Sequence, residues 1–300
     1  VRVLVTGATG MIGTALSAAL REGGHSVLAV SRRAVSGSDT VSWDPRSGRL
    51  DPDAIAGVDA AVHLAGENLA ARRWSPAHLR EARESRAGSG ALLARTLAQV
   101  KPRPRVLVSV SAIGVYGDRG DQVLDDGAAP GLGVLPELVR AWEGAAAPAR
   151  DAGMRVAHPR LGLVLSARGG ALAQLVGPAR WGILGPLGSG RQWWSWITLR
   201  DAVRVLMAAL TDVRLQGPFN AVAPAPVRQR VFARTLGHVL GRPAWVPAPE
   251  RLLRLALGGM ADEMLLASQR VVPGRLSATG FAFLDPALEP ALRVALTDRG

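Results

Sequence analysis

Short apolar runs separated by helix-length amphipathic stretches dominate the first two thirds of the chain. VRVLV (1–5) ends at a glycine turn, and MIGTALSAALREGG (11–24) reads as a helix stopped by two glycines. HSVLAV (25–30), VDAAVHL (58–64), RVLVSVS (105–111) and MRVAHPRLGLVL (154–165) are further strand candidates. Residues 76–99 hold helical stretches rich in Ala, Arg, Glu and Leu, and 133–150 suggests another helix. Apolar runs alternating with helices predict an α/β fold: a doubly wound parallel sheet covered on both faces.

The later part is less regular. GILGPLGSGRQWWSWI (182–197) reads as a loop, a helix is expected from Asp201 to Leu210, and GPFNAV (217–222) returns to the sheet. A helix follows the turn at the start of PVRQRVFARTLGHVLGRP (226–243), and RLLRLALGGMADEMLLASQRVVPGRL (251–276) is helical up to a proline-glycine stop. The expected division is a cofactor domain over 1–165, taking in 201–220 as well. A smaller, mostly helical substrate-side domain is built from 166–200 and 221–300.

Composition narrows the classes. Three hundred residues support one large domain with a smaller one attached. The net charge is +12, almost all of it arginine, with Lys101 the only lysine. The arginines are scattered rather than clustered, which favours an anionic small ligand over nucleic acid. There is no cysteine, so disulfide and thiolate chemistry are excluded. No apolar run is long enough for a membrane helix, and a cytoplasmic location is the default expectation.

The opening loop TGATGMIG carries the first chemistry. Gly7, Gly10 and Gly13 follow a strand and open a helix, where backbone amides and the helix field favour a pyrophosphate. Thr9, Met11 and Ile12 complete this cradle. The next strand ends in Ser31 and Arg32 rather than an acid, so NADP is expected over NAD; Arg33 shares that task or points away. Leu64, Ala65 and Gly66 form a small-residue edge for the dinucleotide, with Glu67 and Asn68 next to it. His63 lies inside an apolar strand and reads as structural. No metal-ligand spacing is present.

These residues resemble the extended short-chain dehydrogenase/reductase superfamily, through VLVTGATGMIG, VHLAGEN, LVSVSAIGVYGD and PRLGLVLS. HLAGENLAARRW, ESR at 84–86, AWEGAA, LGSGRQWWSWI, FNAVAPAPV and MADEMLLASQRVVPGRL resemble its atypical epimerase-family, nucleoside-diphosphate-sugar-epimerase-like branch with a characteristic C-terminal domain. The resemblance implies a Rossmann-like NAD(P)-binding domain and a smaller substrate-binding part. It also implies a serine with a YxxxK pair, whose tyrosine exchanges a proton with the substrate oxygen and whose lysine holds the nicotinamide ribose.

That pair is absent. Tyr116 is the only tyrosine and its fourth successor is Gly120. Aligned on AWE, the helix places Leu135 and Val139 at the pair's positions. Ser111 is the first choice for the serine that orients an oxygen, although Ala112 competes for the register. Tyr116 and Glu67 are the remaining catalytic candidates, with His158 a further one.

Arg160, Arg191, Gln192 and Trp193 are the candidate substrate contacts: two guanidinium groups for an anionic or nucleotide-sugar ligand, an amide and an aromatic cover. Trp193, Trp194 and Trp196 serve equally well as packing between the two domains. Thr198 stands where the resembled QWxSWIH segment has histidine, and Asp201 is placed to cap the next helix. The expected function is an NADP-dependent oxidoreductase acting on an alcohol or carbonyl. A nucleotide-sugar epimerase and a non-catalytic NADP-binding sensor are the alternatives. A homodimer through helices covering the sheet would suit the superfamily.

Overall fold

The computed structural model describes residues 1–32 and 39–297. The expectation for Arg33 lies outside them.

The opening run becomes β1 (Arg2–Thr6) and the glycine-stopped stretch becomes α1 (Met11–Glu22). β2 (Ser26–Ser31), β3 (Thr40–Ser42) and β4 (Ala60–His63) follow. The helical stretch at 76–99 is α2 (Pro76–Arg83), a π-helical turn (Glu84–Gly88) and α3 (Ser89–Gln99). β5 (Val106–Ser109) and β6 (Ser111–Ala112) lead into a 3-10 turn (Ile113–Tyr116) and β7 (Val123–Leu124). The predicted helix at 133–150 is two, α4 (Val134–Gly144) and α5 (Ala147–Asp151), with Pro148 in the first turn of the second.

The apolar run at 154–165 divides into β8 (Arg155–Leu161) and β9 (Leu163–Leu165). The break is Gly162, where a Cβ would stand 2.6 Å from the Ser195 carbonyl oxygen. Then come α6 (Gly170–Arg180), β10 (Trp193–Trp194), β11 (Trp196–Thr198), α7 (Leu199–Thr211), β12 (Gly217–Ala221), β13 (Val227–Arg228), α8 (Gln229–Leu240) and α9 (Glu250–Leu257). A second π-helical turn (Ala261–Leu266), β14 (Arg270–Val271), α10 (Gly274–Ala278) and α11 (Leu288–Thr297) complete the chain.

The main sheet runs β12-β8-β5-β4-β1-β2-β3, all parallel, with β6 continuing alongside β8. This is the predicted doubly wound sheet. Its strands show why continuous apolar runs are needed. Val3, Val5, Val62, Val106 and Val108 point into one core, against Leu16 and Leu20 of α1 and Ala202, Val205 and Leu206 of α7. Leu4, Leu28, Ala61 and Leu107 point into the opposite core, against Leu92, Leu93 and Leu97 of α3. Successive residues thus feed opposite layers. Residues 201–220 contribute α7 and β12 to this sandwich.

A smaller core gathers α6, α8 and α11 around Leu165, Trp194 and Trp196. The short pairs β9–β11, β10–β13 and β7–β14 tie this helical region to the main sheet. Chain order reverses between β1 and β4, because β3 lies at one edge and the next strand enters on the far side of β1. A crevice at the carboxyl ends of these strands is where such sheets hold ligands.

Candidate functional site

Gly7 leaves β1 with φ +68, and a Cβ there would come within 2.9 Å of the Ala65 nitrogen and the Leu64 carbonyl carbon. The loop therefore lies directly against the end of β4. At Gly13 a Cβ would meet the Gly7 oxygen at 2.1 Å, so α1 can close onto the loop only through a glycine. Gly10 N–H donates to the Gly7 carbonyl at 3.0 Å and Thr14 N–H to the Gly10 carbonyl at 2.8 Å. α1 then starts at Met11 with no side-chain cap and no acid in its first turn. Thr9 and Gly10 are exposed at the tip, and Met11 and Ile12 are half-buried. Met11 reaches across to Gly169 and Gly170 at the start of α6.

The neighbouring strand end is held by a polar chain. Thr6 Oγ1 accepts the amides of Leu64 and Ala65 at 3.2 and 3.3 Å, and bonds His63 Nδ1 at 2.8 Å. His63 Nε2 faces Ser89 Oγ at 3.2 Å, and Ser89 in turn donates to the Ser85 carbonyl. Thr6 and Ser89 thus leave His63 with its proton on Nε2. Burial pushes the imidazole down to about 4, so it is neutral. The structural reading of His63 is the one the geometry supports.

Gly66 is backed by Arg86 of the π-helical turn, whose Cγ and Cζ lie 3.2 Å from where a Cβ would be. The Arg86 guanidinium also stacks over Trp142 of α4, 5.2 Å from the ring centre. Its Nε and Nη1 are buried and have no hydrogen-bond partner. Burial brings this guanidinium down to about 10, with the Glu67 charge pulling the other way. Glu67 itself is half-buried, and its amide donates to Ser85 Oγ at 2.7 Å. Glycines that admit backbone contact, an uncapped helix start and orphaned guanidinium nitrogens fit a dinucleotide. Gly7, Gly10, Met11, Ile12 and Gly13 would hold its pyrophosphate. Leu64, Ala65 and Gly66 would line its path. Ser31 ends β2 and Arg32 is exposed beside it.

Of the catalytic candidates, Glu67 lies here, and Ser111 and Tyr116 sit elsewhere. Ser111 is only 2 % exposed and donates to Glu143 Oε1 at 2.7 Å. Glu143 also takes Arg160 Nε at 2.8 Å and Nη2 at 2.9 Å, a two-point pair with Arg160 buried and Glu143 half-buried. Burial acts to raise the Glu143 pKa, but Arg160 and Ser111 together hold it below the usual carboxylate value. Burial likewise opposes the Arg160 charge, and Glu143 more than offsets it.

Tyr116 is fully buried. Its oxygen accepts from Arg160 Nη1 at 3.1 Å, and its hydroxyl faces Asn220 Oδ1 at 2.7 Å and the Asp125 carbonyl at 3.1 Å. Burial raises its pKa, with Arg160 only partly opposing. Ser111, Tyr116 and Arg160 therefore meet in one polar knot, completed by Glu143 and Asn220, which the sequence reading had not singled out. Arg160 is committed to Glu143, not presented to an anion. His158 is buried as well and bonds the Ser109 carbonyl through Nδ1 at 3.1 Å. Leu135 and Val139 are buried on α4.

The aromatic loop is also packed. Gln192 is buried and donates to the carbonyls of Leu187 and Leu265, both at 3.0 Å. Trp193 lies against the guanidinium groups of Arg228 and Arg270, at 4.2 and 4.5 Å, and donates to Asp121 at 3.0 Å. Arg191 is exposed on the loop. Thr198, not Asp201, caps α7: its hydroxyl accepts the Asp201 amide at 3.3 Å. Asp201 instead binds the amides of Leu284 and Asp285, fastening the C-terminal segment.

A cavity of about 310 Å³ opens beside the start of α4, with Gly117, Asp118 and Leu135 on one side and Glu250, Arg254 and Asp262 on the other. Glu263 closes its floor by accepting the Val134 and Leu135 amides at 2.9 and 2.6 Å. Among the described residues there is no cluster that could hold a metal ion, and no helix long and apolar enough to cross a membrane.

The model of the NAD dependent epimerase/dehydratase family matches residues 3–221, and that of a domain of unknown function matches 248–295. An epimerase family protein of Mycobacterium bovis is 41% identical over 298 residues, covering 99% of this chain and 98% of that protein. The crystal structure of human epimerase family protein SDR39U1 with NADPH has a TM-score of 0.90 and 35% identity, covering 99% of this chain and all of that one. The structure of MoeE5 with UDP-glucuronic acid and NAD has a TM-score of 0.76 and 25% identity, covering 97% and 96%.

These findings overturn the expected preference for NADP. One similar structure carries NADPH and another carries NAD, so Arg32 after β2 does not decide between them. An exposed arginine beside a strand end is compatible with either ribose. The chain is an NAD(P)-binding member of the NAD dependent epimerase/dehydratase family.

Proposed function

We propose that the protein is an oxidoreductase that moves a hydride in one direction between NAD(P) and an alcohol or carbonyl carbon of a small molecule. When bound, the nicotinamide supplies or accepts that hydride. The observation that carries the reading is the contrast between an intact glycine cradle and an α4 that presents buried Leu135 and Val139 in place of proton-handling groups. Epimerisation through a transient ketone needs a base that removes a proton and then returns it within one visit. A one-way reduction needs a single proton, which solvent supplies, directly or relayed through Glu67 in the loop after β4.

The cavity beside Leu135 is the proposed seat of the reacting end of the substrate. Asp118, Glu250, Asp262 and Glu263 outnumber Arg254 on its walls, so a neutral, hydroxyl-bearing group suits it better than a phosphate. UDP-sugars are the first class to test, because MoeE5 binds UDP-glucuronic acid. A non-catalytic dinucleotide sensor is the second reading, favoured by the commitment of Ser111 and Tyr116 to other side chains.

The test is incubation of UDP-sugars with NAD+ and NADP+, read by formation of reduced cofactor, and of UDP-keto-sugars, aldehydes and ketones with NADH and NADPH deuterated at the transferable position, read by mass spectrometry. One deuterium gained per product, with oxidised cofactor formed, is expected. Inversion of a sugar carbon without net redox change would replace this reading by an epimerase. Tight dinucleotide binding without turnover of any compound would replace it by a sensor.

A further inference from the structure

One face of the helical region is built inside out. Glu250 and Arg254 stand one turn apart on α9 and line the cavity beside Leu135, ion-paired at 3.3 Å, and Arg254 also bonds Asp262 at 2.8 Å. With its charges turned inward, the helix presents Leu252 and Leu255 to solvent, and none of its residues is buried. The loop before it, 243–248, lies along 182–188. A Cβ on Gly182 would meet the Pro243 ring at 3.2 Å, and Gly188 N–H donates to the Ala248 carbonyl at 2.8 Å. Glu250 of α9 packs on Gly188, so the helix continues the same surface. Side by side, the two loops expose Trp181 (84 %), Trp245 (75 %), Ile183 and Val246.

The size of this face suits a partner. A tryptophan carries roughly 150–250 Å² of surface and a large aliphatic side chain about 100 Å², so these six present on the order of 600 Å². That is the upper end of what a monomer leaves bare, about 300–600 Å². It matches the apolar share of the roughly 800 Å² that each partner of a stable dimer covers. Arg180, Arg242 and Arg251 are exposed along the same loops and helix, and among the described residues none of them is in an ion pair. Trp142 and Trp193 lie against guanidinium groups of this chain, whereas among the described residues none covers Trp181 or Trp245. The face thus holds both halves of an arginine–aromatic contact, each unused within the chain. Across a two-fold axis each half meets the other on the opposite copy, twice over. We propose that Trp181, Trp245 and the outer side of α9 form a homodimer interface with a second copy of this chain. The sheet helices α3 and α4 instead turn Arg95, Gln99, Glu137 and Arg140 outward, a charged face where this one is apolar. The +12 charge of each copy opposes association, but it is screened beyond about 8 Å at physiological ionic strength.

The experiment is sedimentation velocity of the full chain at about 0.15 M salt, from micromolar to submillimolar protein, beside the double variant Trp181→Ser, Trp245→Ser and the single variant Leu255→Lys. The unaltered chain should sediment as a dimer, and the dissociation constant should rise at least tenfold in either variant. Circular dichroism and NAD(P)H affinity should not change, because these side chains are exposed and lie outside the glycine cradle. Leu255→Lys keeps the test decisive should the double variant unfold. A chain that stays monomeric throughout would overturn the proposal, and cosedimentation of that monomer with phosphatidylglycerol vesicles would assign the face to an anionic membrane surface instead. A dimer that both variants leave intact would overturn it in favour of another face.

Discussion

Two stretches of the same sheet edge are built on opposite terms. At the β1–β4 end the backbone is bare: Gly7 and Gly13 press loop, helix and strand together, α1 starts uncapped, and Arg86 keeps unpartnered donors. At the β5–β8–β12 end Ser111, Glu143, Arg160, Tyr116 and Asn220 satisfy one another inside the fold. The first region withholds internal bonds and so can take a ligand. The second spends residues that look catalytic on holding strands and α4 together. Polar residue type alone does not mark a reactive site; what counts is whether the polar atom is left without a partner.

The sharpest way to break this contrast is Glu143→Ala. It leaves Arg160, 5 % exposed, buried without its carboxylate. Removing one partner of a buried pair costs about 3–5 kcal/mol. Urea unfolding should show a loss of that size, while calorimetry should find NAD(P)H affinity within about twofold of the original wherever the variant is folded. A parallel collapse of affinity would mean the knot and the cradle are one site.

The seam between the regions is His63, and it responds to pH. Its folded value is about 4 against 6.5 for an ordinary imidazole. Between those values the unfolded chain binds the proton and the folded one does not, so stability rises with pH. The contribution is complete above about pH 6.5 and is lost as pH falls towards 4, amounting to about 3 kcal/mol. His158 is shifted down by burial too, so it adds to the same slope. Glu143, held below its usual value, keeps its full stabilisation above the ordinary carboxylate range and loses it only as pH falls through that range. His63→Gln should flatten the stability curve between pH 6.5 and 4 without abolishing it. An unaltered slope would show that His63 is not buried as a neutral ring.

The division also explains what could be read from the sequence. The cradle is local: strand, three glycines and helix start lie within the first thirteen residues, and backbone conformation determines their use. Apolar runs likewise revealed the strands, because both faces of a parallel sheet are buried. The knot is not local. Ser111 meets Glu143 32 positions away, and Tyr116 meets Asn220 across 104. No spacing rule joins them, so Ser111, Tyr116 and Arg160 read as separate candidates, whereas the structure brings them into one bonded network. The contacts of Trp193 and Gln192 were hidden in the same way, since their partners Arg228, Arg270 and Leu265 come from distant segments. Arg86 showed the reverse failure. It stood in a recognisable ESR, but nothing in that triplet signals that its Nε and Nη1 are buried without partners.

The gentlest probe is Ser111→Ala, and it addresses the residue first chosen as catalytic. The substitution removes one hydroxyl bond to a carboxylate, worth about 1.5 kcal/mol. Glu143 keeps both bonds from Arg160, so no charge is stranded. A modest fall in unfolding free energy is expected, with NAD(P)H affinity unchanged. The effect should disappear in a Glu143→Gln background if Glu143 is what the hydroxyl serves, since the charge that strengthened the bond is gone. If the serine instead reached a bound ligand, the double variant would still show its full loss in turnover, and Ser111 would move from the closed region to the open one.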